Sequence, residues 1–308
     1  MKLLLTSTRI KRYLALFMLS TLVLLSGCGS NSSQPSATDR SSDKLTIVTS
    51  FYPIYIMALN ITADIPGIEL INLTGPQTGC LHDYQLSPNE VKTLQKADIF
   101  IVNGAGTESF LDKVIKQQQD LQIITATQGM TFIKGPGESE PNPHVWVSIA
   151  GAIQEVKNIG SQLAVLDPTH ASQYKKNSET YIGKLDNLQQ EMHGQLDALP
   201  NRNMVSFHEA FPYFAQEFNL KVVAVVEREP GSEPSAAELA NTIEIVRKSE
   251  VKALFIEPQY PPGAAKIIAN DTDARIYTLD PAVSGPNTPD AYLTIMRKNL
   301  ATLSEALQ

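Results

Sequence analysis

The sequence predicts an α/β protein made of two βα-type lobes, each with a mostly parallel sheet, joined by one long helix. Three observations carry this expectation. Short β-branched runs alternate with helical patterns in both halves of the chain, the order that builds parallel sheets. About 265 residues follow Asp43, enough for two lobes at the usual domain size. Between Pro168 and Leu199 no further proline intervenes, and the apolar residues Tyr181, Leu185, Leu188, Met192, Leu196 and Leu199 step by four, three, four, four and three, which is one face of a helix.

At the N-terminus, Lys2, Arg9, Lys11 and Arg12 precede an apolar run from Tyr13 to Leu25, too short for a comfortable membrane span. Residues 1–27 are therefore expected to be an export signal. The run ends in Leu25-Ser26-Gly27-Cys28, the pattern that closes a bacterial lipoprotein signal, so Cys28 is the expected lipid-bearing N-terminus. An ordinary cleaved signal with an incidental Cys28 is the weaker alternative, given where that cysteine stands. Of the two cysteines in the chain, Cys80 then has no intrachain partner, and no disulfide frame is expected. Residues 28–43 hold no large apolar side chain and read as a flexible tether. Loss of residues 1–27 removes four positive charges and takes the formal charge from −7 to −7 − 4 = −11. That sign disfavours nucleic acid as a partner.

The first lobe is expected over residues 44–166. Leu45–Thr49, Ile68–Leu73, Ile99–Val102 and Leu121–Thr125 read as buried strands, and Pro88–Ala97, Glu108–Gln118 and Val145–Leu166 as helices. Ser87, Pro88 and Glu90 form a strong helix start, with an N-cap, a first-turn proline and a reciprocal capping box. Gly104-Ala105-Gly106 after a strand lacks the third glycine of a dinucleotide loop and reads as a turn. The linking helix spans 167–200, opened by Asp167 and Pro168; His170 and His193 on it read as surface histidines. The second lobe, 201–308, repeats the alternation. Its strands are Met204–Phe207, Val222–Val226, Ala253–Ile256 and Ile276–Leu279, with helices between and after them. A second capping box, Ser235 to Glu238, opens a helix ending near Lys248.

Four residues stand at loops or strand ends: His82 after the second strand, His144 and His208 before helical patterns, and Asp280 closing the last strand. In an α/β fold such ends gather where ligands bind, so three imidazoles and a carboxylate could converge on one metal ion, His82 and His144 from one lobe, His208 and Asp280 from the other. Zinc fits this set, while manganese prefers a sphere richer in oxygen. A ligating imidazole needs a carboxylate or carbonyl on its second nitrogen. Asp83, Glu209 and Glu257 are the acidic candidates for that role, and Glu257, at a strand end, could replace Asp280 as a ligand. Cys80, two residues before His82, is either a further ligand or a small buried thiol.

His82-Asp83-Tyr84 followed by Ser87-Pro88, then Pro143-His144-Val145-Trp146, then His208-Glu209-Ala210-Phe211-Pro212-Tyr213-Phe214 together resemble the metal-binding solute-binding lipoproteins of ABC transporters for zinc and manganese. The resemblance runs from about Leu45 to the C-terminus. It implies a monomeric, extracytoplasmic protein, anchored to the membrane through lipid on Cys28, that hands its metal to an ABC permease and its ATPase. Manganese-type members tend to place Glu where this chain has His208, so the resemblance is to the zinc type. The long His-rich loop of many zinc-type members is missing, since residues 134–143 contain no His. Two rival readings remain. A zinc-dependent hydrolase could use the same three histidines with Glu209 as base, but the sequence has no His-Glu-x-x-His helix and no Gly-x-Ser-x-Gly elbow. A surface adhesin, a label often attached to such lipoproteins, is addressed by no residue of the chain.

Overall fold

The computed structural model describes residues 44–75, 81, 84–116, 118, 120–134, 140–226, 234–259 and 261–308. Cys28, Cys80, His82 and Asp83 lie outside the described residues. In the first lobe, β1 (Leu45–Thr49), β2 (Ile68–Asn72), β3 (Ile99–Val102) and β4 (Gln122–Thr125) form a parallel sheet in the order β2-β1-β3-β4. In the second, β5 (Asn203–Ser206), β6 (Lys221–Val225), β7 (Ala253–Ile256) and β8 (Arg275–Thr278) form another in the order β6-β5-β7-β8. All four residues of β3 are buried, as the unbroken Ile-Phe-Ile-Val run of an interior parallel strand requires. Each first strand lies inside its sheet, so the chain reverses direction beside it, and the carboxyl ends of the strands there open on a crevice.

The helices are α1 (Tyr52–Ile61), α2 (Pro88–Leu94), α3 (Asp112–Ile115), α4 (Ile149–Leu166), α5 (Ala171–Leu196), α6 (Pro212–Glu217), α7 (Ala236–Lys248), α8 (Gly263–Asn270) and α9 (Ala291–Ala306). Both capping boxes form, Ser87 with Glu90 and Ser235 with Glu238. Two sequence-based helices differ at their starts from what was expected. The expected helix from Glu108 is a 3-10 turn, Ser109–Leu111, followed by the single-turn α3. Its first residue is drawn inward, where the Glu108 carboxylate accepts from Asn103 N at 2.7 Å and Gly104 N at 3.0 Å. The expected helix from Val145 begins as a 3-10 turn, Val145–Val147, and α4 starts only after Ser148, whose hydroxyl accepts from Gly151 N at 3.0 Å. The turn folds back so closely that a Cβ on Gly151 would sit 2.2 Å from Val145 O. Helix α1 was not foreseen, because it is buried nearly all round and shows no amphipathic period.

Of the face read from the sequence, α5 buries Tyr181, Leu185, Leu188, Met192 and Leu196, together with Tyr174 and Ser178, against α4 and α1 of the first lobe and α9 of the second; Pro168–His170 is a 3-10 turn before it and Leu199 lies past its end. His170 and His193 pair locally with Asp167 and Asp197. The core runs through both lobes, from Ile47 and Trp146 to Phe255 and Leu303. Polar ties add to it. Trp146 Nε1 donates to Pro281 O at 2.8 Å, Tyr292 OH to Trp146 O at 2.7 Å, Tyr52 OH to Pro286 O at 2.8 Å and Asn60 Nδ2 to Pro289 O at 2.8 Å. Among the described residues no helix is long and apolar enough to cross a membrane.

Candidate metal centre

His144 enters the crevice on a strap held by two prolines. Pro141 and Pro143 fix their own φ and keep the residue before each extended, and Pro143 O accepts from Asn103 Nδ2 at 3.1 Å. Asn103 is the residue whose backbone N–H the Glu108 carboxylate holds, so the loop after β3 braces the strap. That loop turns through Gly104 at φ +89, where a Cβ would meet Thr125 Cγ2 at 2.6 Å. His208 follows β5 by two residues and Glu257 directly follows the adjacent β7. Asp280 follows β8, with its peptide gripped by the buried Asn299: Asp280 N donates to Asn299 Oδ1 at 2.9 Å, and Asn299 Nδ2 donates to Asp280 O at 2.7 Å.

The rings of His144 and His208, one from each lobe, lie edge to face with centroids 4.7 Å apart. At Zn–N bonds of about 2.0–2.1 Å, two imidazoles at a tetrahedral angle on one ion have centroids roughly 5 Å apart, so the spacing fits shared coordination. Both side chains are buried, as is Glu257. His208 Nδ1 lies 2.7 Å from Glu257 Oε1. With that carboxyl oxygen as the acceptor, the His208 proton sits on Nδ1 and its lone pair on Nε2. His144 Nδ1 lies 3.2 Å from Asn142 Oδ1, which also accepts from His144 N at 3.0 Å.

Asp280 is half-buried and its carboxyl is held above the usual range, chiefly by loss of water. The Ala282 N–H opposes that shift, Glu257 adds to it and Lys298 opposes it. Oδ1 accepts from Ala282 N at 2.8 Å. A divalent cation beside Asp280 would offset the repulsion that the neighbouring Glu257, committed through Oε1 to His208, exerts on it. Glu209, half-buried, accepts from Asn142 Nδ2 through its backbone carbonyl at 2.8 Å. Among the described residues no three His, Cys, Asp or Glu side chains form a complete metal-holding group. The fourth expected position, His82, lies outside them. From Tyr84 onward the chain is held: Tyr84 OH donates to Glu90 Oε1, and Glu90 Oε2 accepts from Ser87 N at 2.6 Å as part of the capping box.

Sequence reasoning missed Asn142, Asn299 and Glu108. The Pro141-Asn142-Pro143 strap, beside a candidate ligand, was the available signal for the first; Asn299 is brought in on α9, and Glu108 reaches back to the peptides of Asn103 and Gly104, contacts that residue type alone does not reveal.

The family model of ZnuA, the periplasmic component A of the zinc-uptake complex, matches residues 47–306. The high-affinity zinc uptake system protein ZnuA of Bacillus subtilis (strain 168) is 30% identical over 317 residues, covering 96% of this chain and 98% of that protein. The manganese ABC transporter substrate-binding lipoprotein scaA of Streptococcus gordonii is 29% identical over 307 residues, covering 94% and 98%. Among solved structures, the laminin binding protein (Lmb) of Streptococcus agalactiae, described as a bifunctional protein with adhesin and metal transporting activity, superposes with a TM-score of 0.77 at 27% identity, covering 86% of this chain and 100% of that one. With the match running through both sheets and beyond Asp280, the chain belongs to the ZnuA family of zinc-uptake components.

Proposed function

We propose that the protein captures zinc in the crevice between its lobes and delivers it to an ABC permease driven by its ATPase, with manganese as the alternative cargo. It is the extracytoplasmic solute-binding component of that system and not an enzyme. The observation that carries this reading is the buried His144–His208 pair, one ring from each lobe at 4.7 Å. His82, His144, His208 and Asp280 are the proposed ligands. Glu257 is assigned the orienting role, because Oε1 already receives the His208 proton at 2.7 Å. Asp280, with one oxygen on Ala282 N, keeps the other for the ion. Two imidazoles with preset tautomers suit zinc better than the harder manganese ion. The zinc-hydrolase reading has no support from the family match. Adhesin activity belongs to the description of the Streptococcus agalactiae protein.

Elemental analysis of protein purified without added metal, followed by chelator competition for zinc and manganese, tests the assignment. Zinc is expected to co-purify and to outcompete manganese, and His144→Ala and His208→Ala should each abolish tight binding. Retention of wild-type zinc affinity by both variants would remove the site.

We further propose that residues 1–27 are an export signal, that Cys28 carries lipid, that 28–43 tether a monomer to the membrane, and that 44–166, 167–200 and 201–308 are lobe, linking helix and lobe. Cys28→Ser should move the protein from the membrane fraction to the soluble one. Unchanged membrane retention of that variant would refute the anchor.

A further inference from the structure

Asn142 is buried, and its side chain and backbone hydrogen-bond both to its own lobe and, through Glu209 and Tyr213, to the other. Its side-chain oxygen accepts from His144 N at 3.0 Å and stands 3.2 Å from His144 Nδ1. Its side-chain nitrogen donates to Glu209 O at 2.8 Å, in the turn that carries His208. Its backbone oxygen accepts from Tyr213 OH of α6 at 2.8 Å, and the same hydroxyl accepts from Ile133 N at 3.0 Å. Asn142 N donates to Ile133 O at 2.8 Å.

These partners decide the orientation of the amide. A backbone N–H can only donate and a backbone carbonyl can only accept, so the atom facing His144 N is the oxygen and the atom facing Glu209 O is the nitrogen. The imidazole nitrogen beside that oxygen must then carry the proton, which leaves the lone pair of His144 on Nε2, the tautomer that binds a metal through the far side of the ring.

We propose that Asn142 is a positioning residue of the metal centre, selecting the His144 donor atom with its oxygen while its amide ties the His144 strap to the His208 turn of the other lobe. One residue thereby sets both the tautomer of one ligand and its distance from another. The proposal rests on the reading that His144 and His208 bind the ion.

The test uses the full mature chain labelled with 15N, prepared metal-free at pH ~8.5, about two units above the free imidazole value. Long-range 1H–15N correlation reads the His144 tautomer, chelator competition reads zinc affinity, and hydrogen exchange of the peptide covering 206–214 reads the tie between lobes. In Asn142→Ala the Nδ1–H form should give way to a mixture and zinc should bind about 10- to 100-fold more weakly. Asn142→Asp keeps an acceptor for His144 but loses the donor to Glu209. It should therefore retain the Nδ1–H tautomer while exchange in 206–214 accelerates, a split that loss of packing alone does not produce. A wild-type tautomer and affinity in Asn142→Ala overturn the proposal. If that variant does not fold, an altered tautomer or unaltered exchange in Asn142→Asp overturns it. Failure of the site itself reads differently: His144→Ala and His208→Ala would then keep wild-type zinc affinity whatever Asn142 does.

Discussion

Glu257 and Asp280 end neighbouring strands, and their chemistry differs because of what each already holds. Glu257 has one oxygen on His208 Nδ1 at 2.7 Å, and among the described residues its Oε2 has no hydrogen-bond partner. Asp280 is steadied by Ala282 and Asn299. A metal held by neutral imidazoles must displace protons in acid. Free His has a pKa of about 6.5, so the logarithm of apparent zinc affinity should fall with acidity, with a limiting slope of about three per pH unit if His82, His144 and His208 all bind. His208→Glu should cut that slope by about one and shift preference toward manganese, because it exchanges a borderline nitrogen for a hard oxygen and adds charge. Calorimetric titration against a competing chelator from pH ~5 to ~7.5 brackets that pKa. An unaltered slope in the variant would take His208 out of the coordination sphere.

At the scale of elements, α4 carries a feature the metal site does not use. Glu155 is fully buried on the inner face of the helix, and among the described residues neither carboxylate oxygen has a hydrogen-bond partner. Burial, and then the neighbouring Glu108, raise its carboxyl well above the ordinary value. Glu108 is itself pushed up to about 7 from 4.5 by burial, against the opposing N–H groups of Asn103 and Gly104. Both carboxyls bind protons more tightly folded than unfolded, so the stability they contribute is greatest below the unfolded value of 4.5 and is lost as pH rises toward about 7 and beyond. For Glu108 alone the loss is on the order of 3 kcal/mol. Glu155→Gln removes the group that burial and Glu108 hold protonated, so the metal-free variant should lose less stability between pH 5 and pH 8 than the wild type, by ~1 kcal/mol or more. Urea midpoints at the two pH values check this. Other titrations are common to both proteins and leave the comparison intact, and equal pH dependences would show that the Glu155 carboxyl is not raised by its burial.

At the scale of the molecule, the lobes are not a loose pair. Helix α5 packs on both, the core passes between them, and Trp146, Tyr52, Asn60 and Tyr213 each form a cross-lobe hydrogen bond. Opening the crevice widely would expose that core and break those bonds together, so zinc binding should involve small adjustments and not a broad hinge. Small-angle scattering with and without zinc should give nearly equal radii of gyration; a change on the scale of a wide-opening sugar-binding protein would contradict this.

The amino-acid sequence alone determined the class and most of the elements. Strands β1, β3 and β7 match their expected ranges, both capping boxes form, and the apolar face of α5 is buried as its period requires. These features depend on neighbours along the chain, so local pattern suffices to read them. The pairing of His144 with His208 was legible only as two residues of one type at corresponding strand and loop ends; that they stand 4.7 Å apart was decided by the packing of the lobes. Tertiary structure also decided the orienting roles of Asn142, Glu257 and Asn299. A hydrogen bond from Asn142 to Glu209 spans 67 residues and the one from His208 to Glu257 spans 49, and no local propensity encodes a contact at such separations. Helix α1 and the buried Glu155 were opaque for the related reason that full burial erases the polar and apolar alternation from which a sequence is read.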